Sequence, residues 1–341
     1  MLVKNMNVLI SCEKNKKRGI TTLHMLFITS VALTAGLLLG RYGVAEALIT
    51  SDHALRDKDN RYQHINPLLE CNPFGNVSNH KVQTMKALVG STIQDEKDYG
   101  NVDHVSVYFR DLNNGPWFGI GEGDKFMPGS LLKVPFMIAL FKIAEHQPFF
   151  LSKQVVFHKK DSPLMEYFKP EVILEEGKMY TIEELIRRMI VYSDNDATLT
   201  LLENVDQSVV SQTYSDLGIQ EPTDAQYQMS VQTYASFFRI LYNATYLNRE
   251  FSEKALMFLD EATFSKGIIS GVPKDVRVAN KFGERWQVEG GEKQLHDCGI
   301  VYVPDQPYVL CLMTRGQDFE TLTHIMSKIS EEVYKEISAE K

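Results

Sequence analysis

The stretch Phe126-Met-Pro-Gly-Ser130-Leu-Leu-Lys133-Val-Pro-Phe-Met-Ile-Ala-Leu140 decides how this chain reads. It opens a strongly apolar helix. Positions three apart share a helix face, so Ser130 Oγ and Lys133 Nζ can converge. A serine hydroxyl is a poor nucleophile unless a neighbouring base takes its proton. An amine in an apolar, partly dry site can be that base, because burial disfavours its charged form and lowers its pKa. The helix start also turns positive dipole charge toward the hydroxyl. Ser-x-x-Lys alone carries little information, since Ser11, Ser78 and Ser338 are followed by lysine at the same spacing. Those three lie near the amino terminus, in a polar stretch and in the last residues. Only Ser130 follows a strand pair and begins an apolar helix.

Working outward, Val105, Val107 and Phe109 alternate with His104, Ser106 and Tyr108, the period of two of a half-buried strand. Asn113-Asn-Gly115 is a turn signal, and Trp117-Phe-Gly-Ile120 is its partner strand. A helix is expected over about residues 79–95. The middle third is helical: Thr181 and Glu184 form a capping box, and Tyr234, Phe237, Phe238, Leu241 and Tyr242 make one apolar helix face. Leu295 to Val303, a Pro304-Asp-Gln-Pro307 turn and Tyr308 to Met313 read as a hairpin. A closing helix carries Leu322, Ile325, Met326, Ile329 and Val333 on one side. The simplest solution is an α/β (α+β) fold: an antiparallel sheet built from both chain ends, helices on its faces, and an all-α lobe inserted between. Residues near 120–135 and 281–299 then meet at the seam.

The composition suits a globular enzyme-sized chain: 341 residues, 44% apolar, 23% charged, net charge −8. No basic stripe runs through the body of the chain, which argues against nucleic acid as a partner. The basic cluster Lys14, Lys16, Lys17 and Arg18 precedes Gly19 to Leu39, which holds no Asp, Glu, Lys or Arg. About 20 such residues span a bilayer core, and the positive-inside bias leaves the chain beyond Arg41 outside the cytoplasm. The expected organisation is a cytoplasmic basic segment (1–18), a transmembrane signal-anchor (19–40), a linker (41–75) and a catalytic domain (76–341) in a single-pass cell-membrane protein. Ala45-Glu-Ala47 resembles a cleavage site and marks a cleaved signal peptide as the competing reading. Of four cysteines, Cys298 and Cys311 flank the hairpin turn, either as a bridge or as two buried thiols. No ligand spacing implies a metal, and no cofactor is implied.

Two further motifs come after Ser130 in order. Ser193-Asp-Asn195 sits between two helices, and Lys281-Phe-Gly283 begins the late strands. Ser193 can relay a proton to a leaving nitrogen, Asn195 can hold the lysine and a substrate amide, and Lys281 adds positive charge for an anionic substrate group. With these residues the chain, from about residue 76 onward, resembles the penicillin-recognising serine hydrolases: class A β-lactamases and penicillin-binding peptidases. The resemblance implies Ser130, Lys133, Ser193 and Asn195 as catalytic residues, and Lys281, Gly283, Glu284 and Arg285 along the substrate. It also implies an oxyanion hole of the Ser130 and Glu284 backbone N–H groups.

The chain departs from that pattern in two places. Class A enzymes carry a water-activating glutamate on a loop after the S-D-N motif. Here Glu221-Pro222 echoes it, but Ala225 stands where the following Asn is usual. The segment looks too short to fold back over Ser130, so Glu221 is expected as a solvated turn residue. Phe282 replaces the usual hydroxyl residue, removing a donor to a substrate carboxylate that Arg285 or His296 would have to replace. His296 and Asp297, adjacent on a strand, point to opposite faces, and His296 is expected to be structural. Three readings remain: acylation and hydrolysis of β-lactams or related amides, a D-alanyl-D-alanine peptidase or transpeptidase, and an acylated penicillin-binding sensor without turnover.

Overall fold

The alternating valines do build a strand, but one buried on both faces. In the computed structural model, which describes residues 27, 55–56, 61–70, 79–113, 115–160, 166–223, 227–286 and 291–339, it is the second strand of a five-stranded sheet. The strands are β1 (His104–Asp111), β2 (Trp117–Ile120), β3 (Val278–Trp286), β4 (Lys293–Val301) and β5 (Tyr308–Gly316). They run in the order β2-β1-β5-β4-β3, and every pairing is antiparallel. Val105, Val107 and Phe109 pack with α1 (Asn79–Asp98) on one face. Tyr108, Cys311 and Met313 pack on the other against the helical lobe. Helices on both faces bury Ser106 and Tyr108 as well, so the expected half-exposed face is covered.

The lobe comprises α2 (Lys133–His146), α3 (Ile182–Val191), α4 (Asn195–Asn204), α5 (Ser208–Asp216), α6 (Val231–Tyr242) and α7 (Arg249–Asp260). The closing helix α8 (Phe319–Ser338) returns to the face that α1 covers. The Thr181 hydroxyl caps α3 by accepting from Glu184 N at 3.1 Å, as the capping box requires. The apolar stripe of α6 is wholly buried: Tyr234, Phe237, Phe238 and Leu241 have no exposed surface.

Cys298 and Cys311 stand directly opposite on β4 and β5, 4.0 Å apart at Cα, and are joined as a disulfide. Cys12, Cys71 and the expected segments 1–18 and 19–40, Phe27 excepted, lie outside the described residues. Among the described residues no helix is long and apolar enough to cross a membrane.

Part of the stretch expected as a linker belongs to the folded unit, since Gln63, His64 and Ile65 are held by α7. The Glu253 carboxylate on α7 accepts from the backbone N–H groups of Gln63, His64 and Ile65 at 2.6, 2.8 and 3.0 Å. The His64 ring lies between Glu253 and Asp260, 2.8 and 3.3 Å away. Burial works against its charge, but the two carboxylates outweigh that and hold its pKa at about 9.

Candidate active site

Ser130 sits in a single 3-10 turn, Gly129–Leu132, that runs into α2 at Lys133. It therefore precedes the α-helix rather than opening it. In a 3-10 turn residues i and i+3 eclipse, which keeps the two side chains on one side. The turn is pinned from behind. Tyr234 OH donates to Leu131 O at 2.9 Å, and Met127 N donates to Gln294 Oε1 at 3.1 Å. It is also pressed against β3. Gly129 has φ of +54°, and a Cβ there would stand 2.5 Å from Glu284 O; one on Gly283 would stand 2.6 Å from Pro128 O. Only glycine allows both approaches, so Gly283 and Glu284 run alongside Ser130 on an edge strand.

The S-D-N segment comes in from the lobe. Asp194 caps α4, its Oδ1 accepting from Ala197 N at 3.0 Å. Ser193, just before, has φ of 55°, a left-handed conformation that a serine adopts only when its surroundings impose it. Lys133 Nζ donates to Ser193 O at 2.5 Å and to Asn195 Oδ1 at 2.7 Å, and lies 3.4 Å from Ser193 Oγ. From the opposite side Lys281 Nζ donates to Ser193 Oγ and Phe282 O, both at 2.9 Å. The Ser193 hydroxyl thus stands between two lysine amines.

Neither lysine is an ordinary cation. Burial brings Lys133 down to about 8, against the pull of Glu166, Asp194 and Glu284. Lys281 is pushed well down by burial and then by Lys133. A neutral amine has two N–H donors and one lone pair. At Lys133 the backbone of Ser193 and the side chain of Asn195 take two donors, so loss of the third proton gives a lone pair that can accept one from outside.

Ser130, Lys133, Ser193, Asn195, Glu284 and Arg285 line one cavity of about 390 Å³. Lys281 and Gly283 do not reach its wall. One expectation changes here. Glu221 and Pro222 do line the cavity, so the short segment reaches the site and Glu221 is not a purely solvated turn residue. His296 is fully buried, its Nε2 3.0 Å from Met127 O, and burial lowers it to about 4. It is a neutral structural histidine and no carboxylate ligand. Asp297 points the other way, accepting from Asn280 Nδ2 at 2.9 Å and Ile268 N at 2.8 Å; burial raises it to about 6.

Sequence reasoning missed Glu166 and Phe168, which face the cavity from the loop between α2 and α3. Glu166 is half-buried, and burial raises its pKa although Lys133 opposes the shift. No motif or periodicity marks that loop.

A sheet from both chain ends, a helical insertion and three motifs meeting at one serine define the architecture of the penicillin-recognising serine hydrolases. The Beta-lactamase enzyme family model matches residues 86–337, and the chain belongs to that family. Among solved structures it is similar to a β-lactamase from Chitinophaga pinensis, 19% identical over 75% of this chain and 100% of that one, with a TM-score of 0.65. It is also similar to a class A β-lactamase from Mycobacterium abscessus, 20% identical over 74% and 99%, TM-score 0.62. A PBP-A variant, an acyl-enzyme complex with penicillin G, is 20% identical over 74% and 97%, TM-score 0.60. A search of the curated proteins finds no match.

Proposed function

We propose that the chain is a serine acyl-transfer hydrolase that forms an acyl-enzyme on Ser130 with strained or activated amides, β-lactams among them. The observation that carries this is the placement of Ser193 Oγ between Lys281 and Lys133, 2.9 and 3.4 Å away, on a cavity that Ser130 shares. Lys133 Nζ takes the Ser130 proton as Oγ bonds to the acyl carbon. The developing oxyanion is met by the backbone N–H groups of Ser130 and Glu284, beside the helix start. Ser193 Oγ accepts from Lys281, so its own proton is free to pass to the leaving nitrogen as the C–N bond breaks. Lys133 then returns its proton to Ser193 Oγ; water attacks the ester carbon and gives a proton to a carboxylate, and that proton passes to Ser130 Oγ as the acyl–Oγ bond breaks. Glu166 and Glu221 both face the cavity, which supports turnover over a permanently acylated sensor.

The reading is tested by intact mass after incubation with a panel of β-lactams and activated esters. An adduct is expected that maps to Ser130 and vanishes in Ser130→Ala. No adduct, or one that survives the substitution, contradicts it. The basic cluster and the apolar 19–39 stretch support a second element: an anchor holding the domain outside the membrane. In whole cells, external protease should then digest residues 76–341, and protection from it would contradict the topology.

A further inference from the structure

The cavity beside Ser130 is walled on the β3 side by Glu284, Arg285 and Trp286, while Lys281 does not line it. Lys281, the cation expected to meet a substrate anion, is 2% exposed, and both its hydrogen bonds stay inside the protein. Its Nζ lies 4.3 Å from the centroid of the Phe282 ring. Phe282 in turn is stacked on Phe264 at 4.1 Å, and Phe168 meets those two rings edge-on at 5.8 and 5.2 Å. Phe319 of α8 completes the group, 5.9 Å from Phe168. The place beside the K-F-G motif is therefore filled with aromatic rings.

Phe168 is tied there. Tyr167 N and Phe168 N both donate to Glu284 Oε1, at 3.0 and 3.2 Å, from more than a hundred residues away in the chain. On the other side, the Glu166 carboxylate lies near the Asn195 backbone N–H. Residues 166–168 thus bridge from the S-D-N segment to β3, an edge strand whose outward backbone groups lie beside Ser130. An anion brought to this place would lose water against phenyl rings and meet the carboxyl groups of Glu166 and Glu284, with Arg285 the cation beside Glu284 on the cavity wall. The lobe end is different: Phe136, Leu202, Val210 and Tyr214 offer an apolar wall continuous with Ser130.

Resting on the serine acyl-transfer reading, we propose that residues 166–168 form a specificity strap over Lys281 and Phe282. The enzyme thereby selects acyl donors with an apolar acyl group and no carboxylate next to the scissile bond. With a neutral aryl ester the step is simple. The Ser130 Oγ–acyl bond forms, the acyl–oxygen bond breaks, the serine proton goes to Lys133 and the phenolate leaves. A peptide ending in D-alanine carries its carboxylate at the covered place, so the strap disfavours the peptidase reading.

The test compares a chromogenic cephalosporin with its methyl ester, which differ only in that carboxylate, on the full-length protein. In wild type the methyl ester is expected to have a kcat/KM about tenfold or more above the acid. Phe168→Ala should raise the acid-to-methyl-ester ratio of kcat/KM about tenfold. Thermal melting and turnover of p-nitrophenyl hexanoate report whether the variant is folded; if it is not, the wild-type ratio decides alone. An acid handled as well as its ester in wild type, including one that depends on Arg285, overturns the strap, as does a folded Phe168→Ala with an unchanged ratio. If neither cephalosporin nor p-nitrophenyl hexanoate acylates Ser130, the acyl-transfer reading has failed and the selectivity falls with it.

Discussion

Lys133 and Lys281 share a great deal. Each comes from a motif, each is nearly inaccessible, each reaches Ser193, and burial lowers the pKa of both. They differ in what stands in front of them. Lys133 lines the cavity, with Ser193 O and Asn195 Oδ1 taking two of its donors; Lys281 does not line it, and its Nζ lies against the Phe282 ring that Phe168 meets edge-on. On the proposed reading the same residue type in the same family pattern has two jobs: Lys133 exchanges a proton with Ser130, and Lys281 orients Ser193. What covers a motif residue decides its role as much as the motif does.

The sharpest way to break this contrast is to remove each amine. Lys133→Met should lower acylation by about 10²–10⁴-fold, the usual contribution of a general base, with the fold retained. Glu166→Gln should leave acylation nearly intact and slow release of the acyl group by about 10²-fold. Glu221→Gln should do less, since Glu221 acts on Tyr214 whereas Glu166 acts on Lys133. Equal effects on release would remove that distinction. Lys281→Met removes the nearer of the two amines at Ser193 Oγ, leaving Lys133 at 3.4 Å, and should cost about tenfold, equally for the cephalosporin acid and its methyl ester. A loss confined to the acid would mean that Lys281 meets substrate directly, and the contrast between the lysines would fail.

A control far from the chemistry should move stability alone. His64→Ala removes a charged, hydrogen-bonded group between Glu253 and Asp260 and should lower stability by about 1.5–3 kcal/mol with acylation unchanged. The sign with pH comes from linkage. The folded pKa, about 9, lies above the ordinary 6.5. The contribution is therefore complete below 6.5 and is lost as pH rises through 9. The melting difference between wild type and His64→Ala should shrink across that window; a difference that grows would contradict the clamp.

Much of the fold is legible in the sequence because it is periodic or locally capped. The β1 alternation, the Thr181–Glu184 box and the α6 stripe each depend on neighbours within a few residues. The three motifs can be placed on their elements for the same reason. What stays hidden comes from distant residues with no pattern between them. Nothing near Tyr167 or Phe168 in the chain announces Glu284 as their partner. Likewise Phe282 reads as a lost hydroxyl, while its stacking on Phe264 is a product of packing. Glu221 reads as a solvated turn residue because segment length says little about where flanking helices aim a loop. His296 is readable, since strand alternation separates it from Asp297 whatever the tertiary context.

The most direct test of the central claim is the rate of Ser130 acylation by p-nitrophenyl hexanoate against pH. Lys133 must shed its proton to act, and Glu166, Asp194, Glu284 and Lys281 all bear on where it does so. The rate should rise with pH through an inflection at about 8 and then level off, and Lys133→Met should abolish that inflection. A profile that is flat through this region, or an inflection that persists without Lys133, would contradict the account.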